Sequence, residues 1–177
     1  MKNLKIYLRR IYRLSVSNSK QNDLLWKDLK KLFVESDWKY GIYEKEKYIV
    51  SGFDLGNDKG TKFIYRIDER YFHCQAFILN EFPIELTTDF FILAAHFNNL
   101  LNYGVVRINI ENPCVEYHRK IEILIPLLYS GEIYGELVRH CDISKNIYWA
   151  FQKLIEENEA PAIIIADLLK KLKDNED

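Results

Sequence analysis

The stretch that decides the fold is residues 87–125, which read TTDFFILAAHFNNLLNYGVVRINIENPCVEYHRKIEILI. Its first half predicts a helix from Thr88 to about Asn102, because apolar residues cover most of the helical circumference. Gly104 should end that helix. In the second half, apolar and polar residues alternate on both sides of a turn at Pro113. This alternation predicts a β-hairpin with one buried face.

The Thr88–Asn102 helix is apolar over much more than the stripe of about 100° that packing on one sheet requires. One side should contact the sheet, and the other should contact another helix or a second subunit. We therefore predict a homodimer that uses this helix. The possible dimer-interface residues are Phe90, Phe91, Ala94, Phe97 and Leu101.

Upstream of this stretch, the sequence predicts one helix followed by a run of strands. The helix should extend from about Asp23 to Glu35, with a stripe of leucines and Phe33. Short alternating segments with polar turns between them then predict an antiparallel meander. In its last strand the predicted buried residues are Phe72, Cys74, Ala76 and Ile78.

Downstream of the hairpin, which should reach Ile125, residues 132–140 are ambiguous. Ile133, Leu137 and Cys141 have helical spacing, but Gly135 would lie inside the helix, so we favour a strand. Helices should follow, one after a cap at Asp142 and one from Pro161 to Leu172. The predicted fold class is α+β, with an antiparallel sheet (meander plus hairpin) flanked by helices.

The N-terminal segment is strongly basic. Residues 1–20 contain six Lys or Arg and no acid, so they carry +6 and the remainder of the chain carries -7. Apolar residues recur at helical spacing from Leu4 to Leu14, which predicts a basic amphipathic helix. We favour an apolar stripe packed on the domain over one lying on an anionic membrane or nucleic acid. Ser15–Gln21 should be a linker, which makes residues 1–20 dispensable for folding.

Composition limits the class of protein. The chain has 177 residues, 48% of them hydrophobic, and a net charge of -1, which suits one soluble domain over residues 21–177. No apolar run approaches the roughly 20 residues of a membrane span. The three cysteines favour a reducing compartment, so we expect a cytoplasmic protein. The near-zero net charge gives little support to nucleic-acid binding.

Three His/Cys combinations are the candidates for metal or nucleophile chemistry: His73-Cys74, Cys114 with His118, and His140-Cys141. Cys114 and His118 would lie roughly 13 Å apart on a strand, too far to share one ion. The two side chains of His73-Cys74 should point to opposite faces of a strand, with Cys74 among apolar neighbours. We therefore predict no catalytic residue, no metal and no cofactor.

The order of elements resembles that of the YbjN-like family, whose fold is similar to that of type III secretion chaperones. The resemblance extends from about Trp38 to Leu172 and is clearest from Ala94 to Tyr117. There, as in the family, an Asn-bearing helix end, a Gly, an alternating strand and an acidic turn follow one another. The resemblance implies an α+β fold, a homodimer and a binding or adaptor role, and it supplies no catalytic residues.

Together these observations predict a non-catalytic protein-binding module, a chaperone- or regulator-like adaptor. Two alternatives from other classes are a small enzyme that uses Cys and His, and a dedicated inhibitor of a toxin-like partner. An enzyme of the first kind would need an accessible cysteine with a low pKa.

Overall fold

The computed structural model describes residues 2–56, 60–102, 104–123 and 130–174. Within these ranges the chain forms five α-helices, six strands and one short 3-10 helix. The helices are α1 (Lys2–Ser15), α2 (Asn18–Glu35), α3 (Thr87–Leu100), α4 (Ser130–Glu157) and α5 (Pro161–Asp174). The strands are β1 (Tyr40–Tyr43), β2 (Tyr48–Phe53), β3 (Thr61–Asp68), β4 (Tyr71–Leu79), β5 (Val105–Asn109) and β6 (Cys114–Glu122), and the 3-10 helix is Ile84–Leu86.

The strands form one antiparallel sheet in the order β1–β2–β3–β4–β6–β5. The α+β class and the meander followed by a hairpin are therefore confirmed. In β4 the even-numbered residues from Phe72 to Ile78 are buried and the odd-numbered ones are partly exposed, as the alternation predicts. Strand β6 ends at Glu122, so Ile123 follows the strand, and residues 124–125 of the predicted continuation lie outside the described residues.

Contacts along the chain cluster into two compact units. The first unit comprises Met1–Phe53, Lys62–Cys74 and Lys120–His140. Its core is built around leucines of α2 and a group of aromatic rings. In that group the ring of Phe33 makes edge contacts with Trp38 and Tyr40, at centroid distances of 5.2 and 5.6 Å.

The second unit comprises Asp54–Thr61, Gln75–Arg119 and Cys141–Asp177. Here α3 packs against β5 and α5. The rings of Phe82 and Phe90 stack at a centroid distance of 4.4 Å. Apolar residues of α3, β5, β6 and the helices that follow form the remainder of this core.

Residues 132–140 are helical, so the predicted strand is wrong. They belong to α4, which runs without interruption from Ser130 to Glu157 and includes Asp142, the expected cap. Ile133 and Leu137 are both buried. Burial of large side chains at helical spacing outweighs the cost of about 1 kcal/mol for one glycine in a helix interior.

The polar stretch Ser15–Gln21 is mostly helical rather than a linker. Helix α1 continues to Ser15, and α2 already begins at Asn18. Ser17 is the N-cap of α2, and its side-chain oxygen accepts a hydrogen bond from the backbone N–H of Lys20. The polar residues therefore start a helix by capping it. A boundary between residues 20 and 21 would cut α2.

Candidate interaction surfaces

The basic side of helix α1 faces the other helices of the first unit, to which α1 belongs. Arg9 donates through Nη2 to both carboxylate oxygens of Asp28 on α2, at 2.9 and 2.8 Å. Arg13, only 4% exposed, also pairs with Asp28, and Arg10 pairs with Glu132 on α4. Ion pairs of three arginines thus hold α1 against α2 and α4.

The opposite side of α1 is apolar and faces solvent. Its large side chains are each between 47% and 62% exposed. We call this surface the α1 apolar face: Leu4, Tyr7, Leu8, Ile11, Tyr12 and Leu14. The expectation that this stripe packs on the domain is therefore wrong. At 100° per residue the face spans an arc of about 160°. A large side chain has roughly 200 Å² of surface, and about half of it is exposed for each of these six residues. Together they expose apolar surface on the order of 600 Å².

Asp28 is the physical reason for this orientation. It is only 8% exposed and lies at the margin of the buried side of α2, next to Leu25. A buried carboxylate needs a charged or hydrogen-bonding partner, and two guanidinium groups supply it. Sequence reasoning missed this pairing, although the i, i+4 spacing of Arg9 and Arg13 places both on one helix face. That spacing was the available signal.

The possible dimer-interface residues of α3 lie in two different environments. Phe90, Ala94 and Phe97 are buried within the second unit. Phe90 and Phe97 contact Phe151 of α4, with ring centroids at 4.9 and 6.3 Å. Leu101 is half-buried, and Phe91 is 43% exposed. Helices α4 and α5 thus cover much of the apolar surface of α3 that exceeds what packing on the sheet requires. Phe91 remains available to a partner.

A smaller uncharged surface remains on the outside of α3. We call it the α3 exposed face: Thr88, Phe91, Ile92, Ala95 and Asn99. These residues are all exposed and lie within an arc of about 100°. Ala95 lies near the middle of the arc, with Phe91 and Ile92 at its two margins. The face therefore offers two large apolar side chains beside a position where another backbone can approach closely.

The cysteines have environments that disfavour nucleophilic chemistry. Cys74 is buried in β4, as predicted. Burial raises the pKa of the Cys114 thiol, with a smaller contribution from the negative charge of Glu116. Burial also raises the pKa of Cys141. Because the thiolate is the reactive form, thiols with raised pKa values are poor nucleophiles near neutral pH.

Two histidines of the candidate pairs, His140 and His118, lie beside aromatic rings and a carboxylate, respectively. His140 is fully buried, with the edges of the Phe63 and Tyr65 rings nearby at centroid distances of 5.5 and 5.8 Å. His118 lies on β6, where its Nε2 is 2.6 Å from a carboxylate oxygen of Glu116. Among the residues that the structure describes, no three His, Cys, Asp or Glu side chains are grouped in a way that could hold a metal ion.

The described helices include none with the length and apolar character needed to cross a bilayer.

No protein-family model matches the chain, and no curated protein sequence is significantly similar to it. Among solved structures, the chain is similar to YbjN from E. coli, which is described as a proposed transcription regulator. The match has a TM-score of 0.52 and 10% sequence identity, and it covers 73% of this chain and 93% of YbjN. The chain therefore has a YbjN-like fold, in agreement with the predicted resemblance.

Proposed function

We propose that this chain is a non-catalytic protein-binding adaptor of the cytoplasm, chaperone- or regulator-like, that works as a homodimer. The observation that carries this proposal is the α3 exposed face. Apolar surface that a folded chain leaves uncovered is typical of a binding site for another protein. The regulator role described for YbjN, a neighbour in fold, is compatible with an adaptor.

The occupant that suits the α3 exposed face is the same face of a second copy. A two-fold axis brings identical patches together, and an uncharged patch creates no like-charge repulsion when it meets itself. The two helices can cross near Ala95, with Phe91 and Ile92 of each copy packed along the partner helix. The two large side chains supply much less than the roughly 800 Å² per partner of a standard interface. We therefore expect a dimer that dissociates on dilution.

A non-catalytic role is supported by the chemistry of the candidate residues. Cys74 and His140 are buried, and the pKa values of Cys114 and Cys141 are raised. An adaptor requires none of these groups to react. The Cys/His enzyme that the dipeptides suggested gains no support from these environments.

Light scattering over a concentration series tests the homodimer. The wild type should move from the monomer mass of 21.1 kDa towards twice that value as its concentration rises. Phe91→Asp should stay monomeric, because it replaces one of the two large apolar side chains of the contact by a charge. Val34→Asp is the matched control: Val34 is 63% exposed on α2, and its replacement should leave the dimer intact. A wild-type mass that stays at 21.1 kDa throughout would exclude the homodimer.

The adaptor role is tested separately by capture of a partner from the native cytoplasm. A protein that is retained by the wild type and by Val34→Asp, and that binds again after purification, would support it. Retention of a specific protein only after the chain has been unfolded would contradict it, because that binding would not use the folded surface.

A further inference from the structure

We propose that the α1 apolar face binds the surface of a lipid bilayer that contains anionic lipid. Helix α1 would lie in the plane of the interface, with the six side chains of this face among the acyl chains and headgroups. This binding site is separate from the α3 exposed face and does not depend on the homodimer.

The arrangement of side chains on the α1 apolar face suits an interface between water and lipid. Leu4, Leu8 and Ile11 lie along its centre, and Tyr7 and Tyr12 lie nearer to its two margins. A tyrosine has an apolar ring and a polar hydroxyl, so it is favoured at the depth of the headgroups. A helix with a wide apolar arc and basic residues on the other side is typical of in-plane membrane binding.

The charge around α1 is complementary to anionic lipid. Residues 1–20 carry six positive charges and no negative one. Lys20 belongs to α2, so α1 itself carries five of these charges. Asp28 and Glu132 pair with arginines of α1 and offset two of the five, which leaves an excess of three positive charges. Lys5 is exposed and, by helical spacing, lies at the margin of the α1 apolar face. No acidic residue occurs in the first turn, so the positive end of the helix dipole adds to this charge.

The same charge disfavours a second copy on this face. Two α1 apolar faces that met would bring two excesses of positive charge within a Debye length of about 8–10 Å. A bilayer with anionic headgroups offers the opposite sign. The ion pairs of Arg9, Arg10 and Arg13 already hold α1 with its apolar side outward, so binding requires no reorientation of the helix.

Co-sedimentation of the full chain with vesicles tests this site. One set of vesicles contains only phosphatidylcholine, and the other contains 30% phosphatidylglycerol. At low salt the wild type should partition onto the anionic vesicles at least tenfold more strongly than onto the neutral ones. Binding should decrease as salt screens the charge. The double variant Leu4→Glu/Leu8→Glu should lose at least tenfold in partitioning, and it should remain folded because both residues are exposed.

Two further variants separate the apolar and the electrostatic contributions. Val34→Glu introduces one carboxylate, where the double variant introduces two, at an exposed position of α2, and it should partition like the wild type. Lys5→Glu keeps the α1 apolar face intact and should weaken binding to anionic vesicles several-fold, with no effect on neutral ones.

Three results would overturn the inference. The first is no binding of the wild type to anionic vesicles at low salt. The second is equal binding of the wild type and Leu4→Glu/Leu8→Glu. The third is a concentration-dependent mass, measured by light scattering, that Leu4→Glu/Leu8→Glu reduces to that of the monomer, since the face would then be occupied by a second copy.

Discussion

The side chain of Asn98 forms hydrogen bonds with the backbone at the edge of the sheet. Strand β5 is the last in the strand order, so no strand of the described part of the chain lies beside its outer backbone groups. The side chain of Asn98, on α3, takes the place of one residue of such a strand. Its Oδ1 accepts a hydrogen bond from the Val106 N–H at 2.7 Å, and its Nδ2 donates to the Val106 carbonyl at 3.1 Å. This pairing satisfies two part-buried backbone groups and covers that point of the edge.

Replacement of Asn98 by Ala should lower the free energy of unfolding by about 1–3 kcal/mol, because both groups of Val106 lose their partner. Asn99→Ala is the matched control on the same turn of α3. Asn99 is exposed, and alanine is the better helix former, so this change should be neutral or slightly stabilising. Urea denaturation of the three proteins measures the difference. Equal stability of the two variants would refute the role of Asn98.

At the scale of elements, α4 is the clearest case of packing that overrides a local preference. Gly135 lies in its second turn, and a Cβ added there would meet no atom within 4 Å. The glycine is therefore not required by any close contact. Its neighbours in the sequence, Ile133 and Leu137, are buried on the inner side of the helix. The helix forms because of what it buries, and the glycine only weakens it.

Gly135→Ala should therefore stabilise the protein by about 0.5–1 kcal/mol, since alanine restricts the unfolded chain and favours helix. Gly104→Ala is the opposite case and serves as the control. Gly104 has φ of +111°, and an added Cβ would lie 2.7 Å from the ring of Tyr117, so that variant should be destabilised. Melting temperatures of the two variants provide the comparison. A lower melting temperature for Gly135→Ala would show that α4 is not helical there.

At the scale of the whole molecule, stability should depend on acid pH. The chain has 25 Lys and Arg against 26 Asp and Glu, so protonation of the carboxylates makes it strongly positive. Two carboxylates have a more specific effect. Hydrogen bonding to Lys47, 2.7 Å away, lowers the pKa of Asp23. Hydrogen bonds from Lys30 and Trp26 lower the pKa of Glu44.

Because both pKa values are lower in the folded chain than in the unfolded one, their stabilising effect is present above about pH 4. It is lost as the pH falls through the lowered values. Asp23→Asn/Glu44→Gln should consequently show a smaller decrease in urea midpoint between pH 7 and pH 3 than the wild type. Glu46→Gln, an exposed change in the same turn as Glu44, should keep the wild-type decrease. Identical pH profiles for all three would contradict the assignment.

The sequence by itself determined most of the elements, except at residues 132–140 and Ser15–Gln21, and it determined the buried face of β4. Alternation over residues 71–79 predicted the buried side of β4, because side chains of a strand point to opposite faces in turn. The length and continuity of the apolar pattern from Phe90 to Leu101 predicted α3 in the same way. These are local properties, and each depends on residues only a few positions apart. They were sufficient for the α+β class and for the YbjN-like order of elements.

Only the tertiary structure decided which side of a helix faces the protein. The amphipathic pattern of α1 is the same whether its apolar or its basic side is buried, and Asp28, distant in sequence, selected the basic side. Likewise, the apolar surplus of α3 was visible in the sequence, but Phe151 of α4 determined that Phe90 and Phe97 would be covered from within the chain. Periodicity defines a face, whereas the partner of that face is set by long-range contacts.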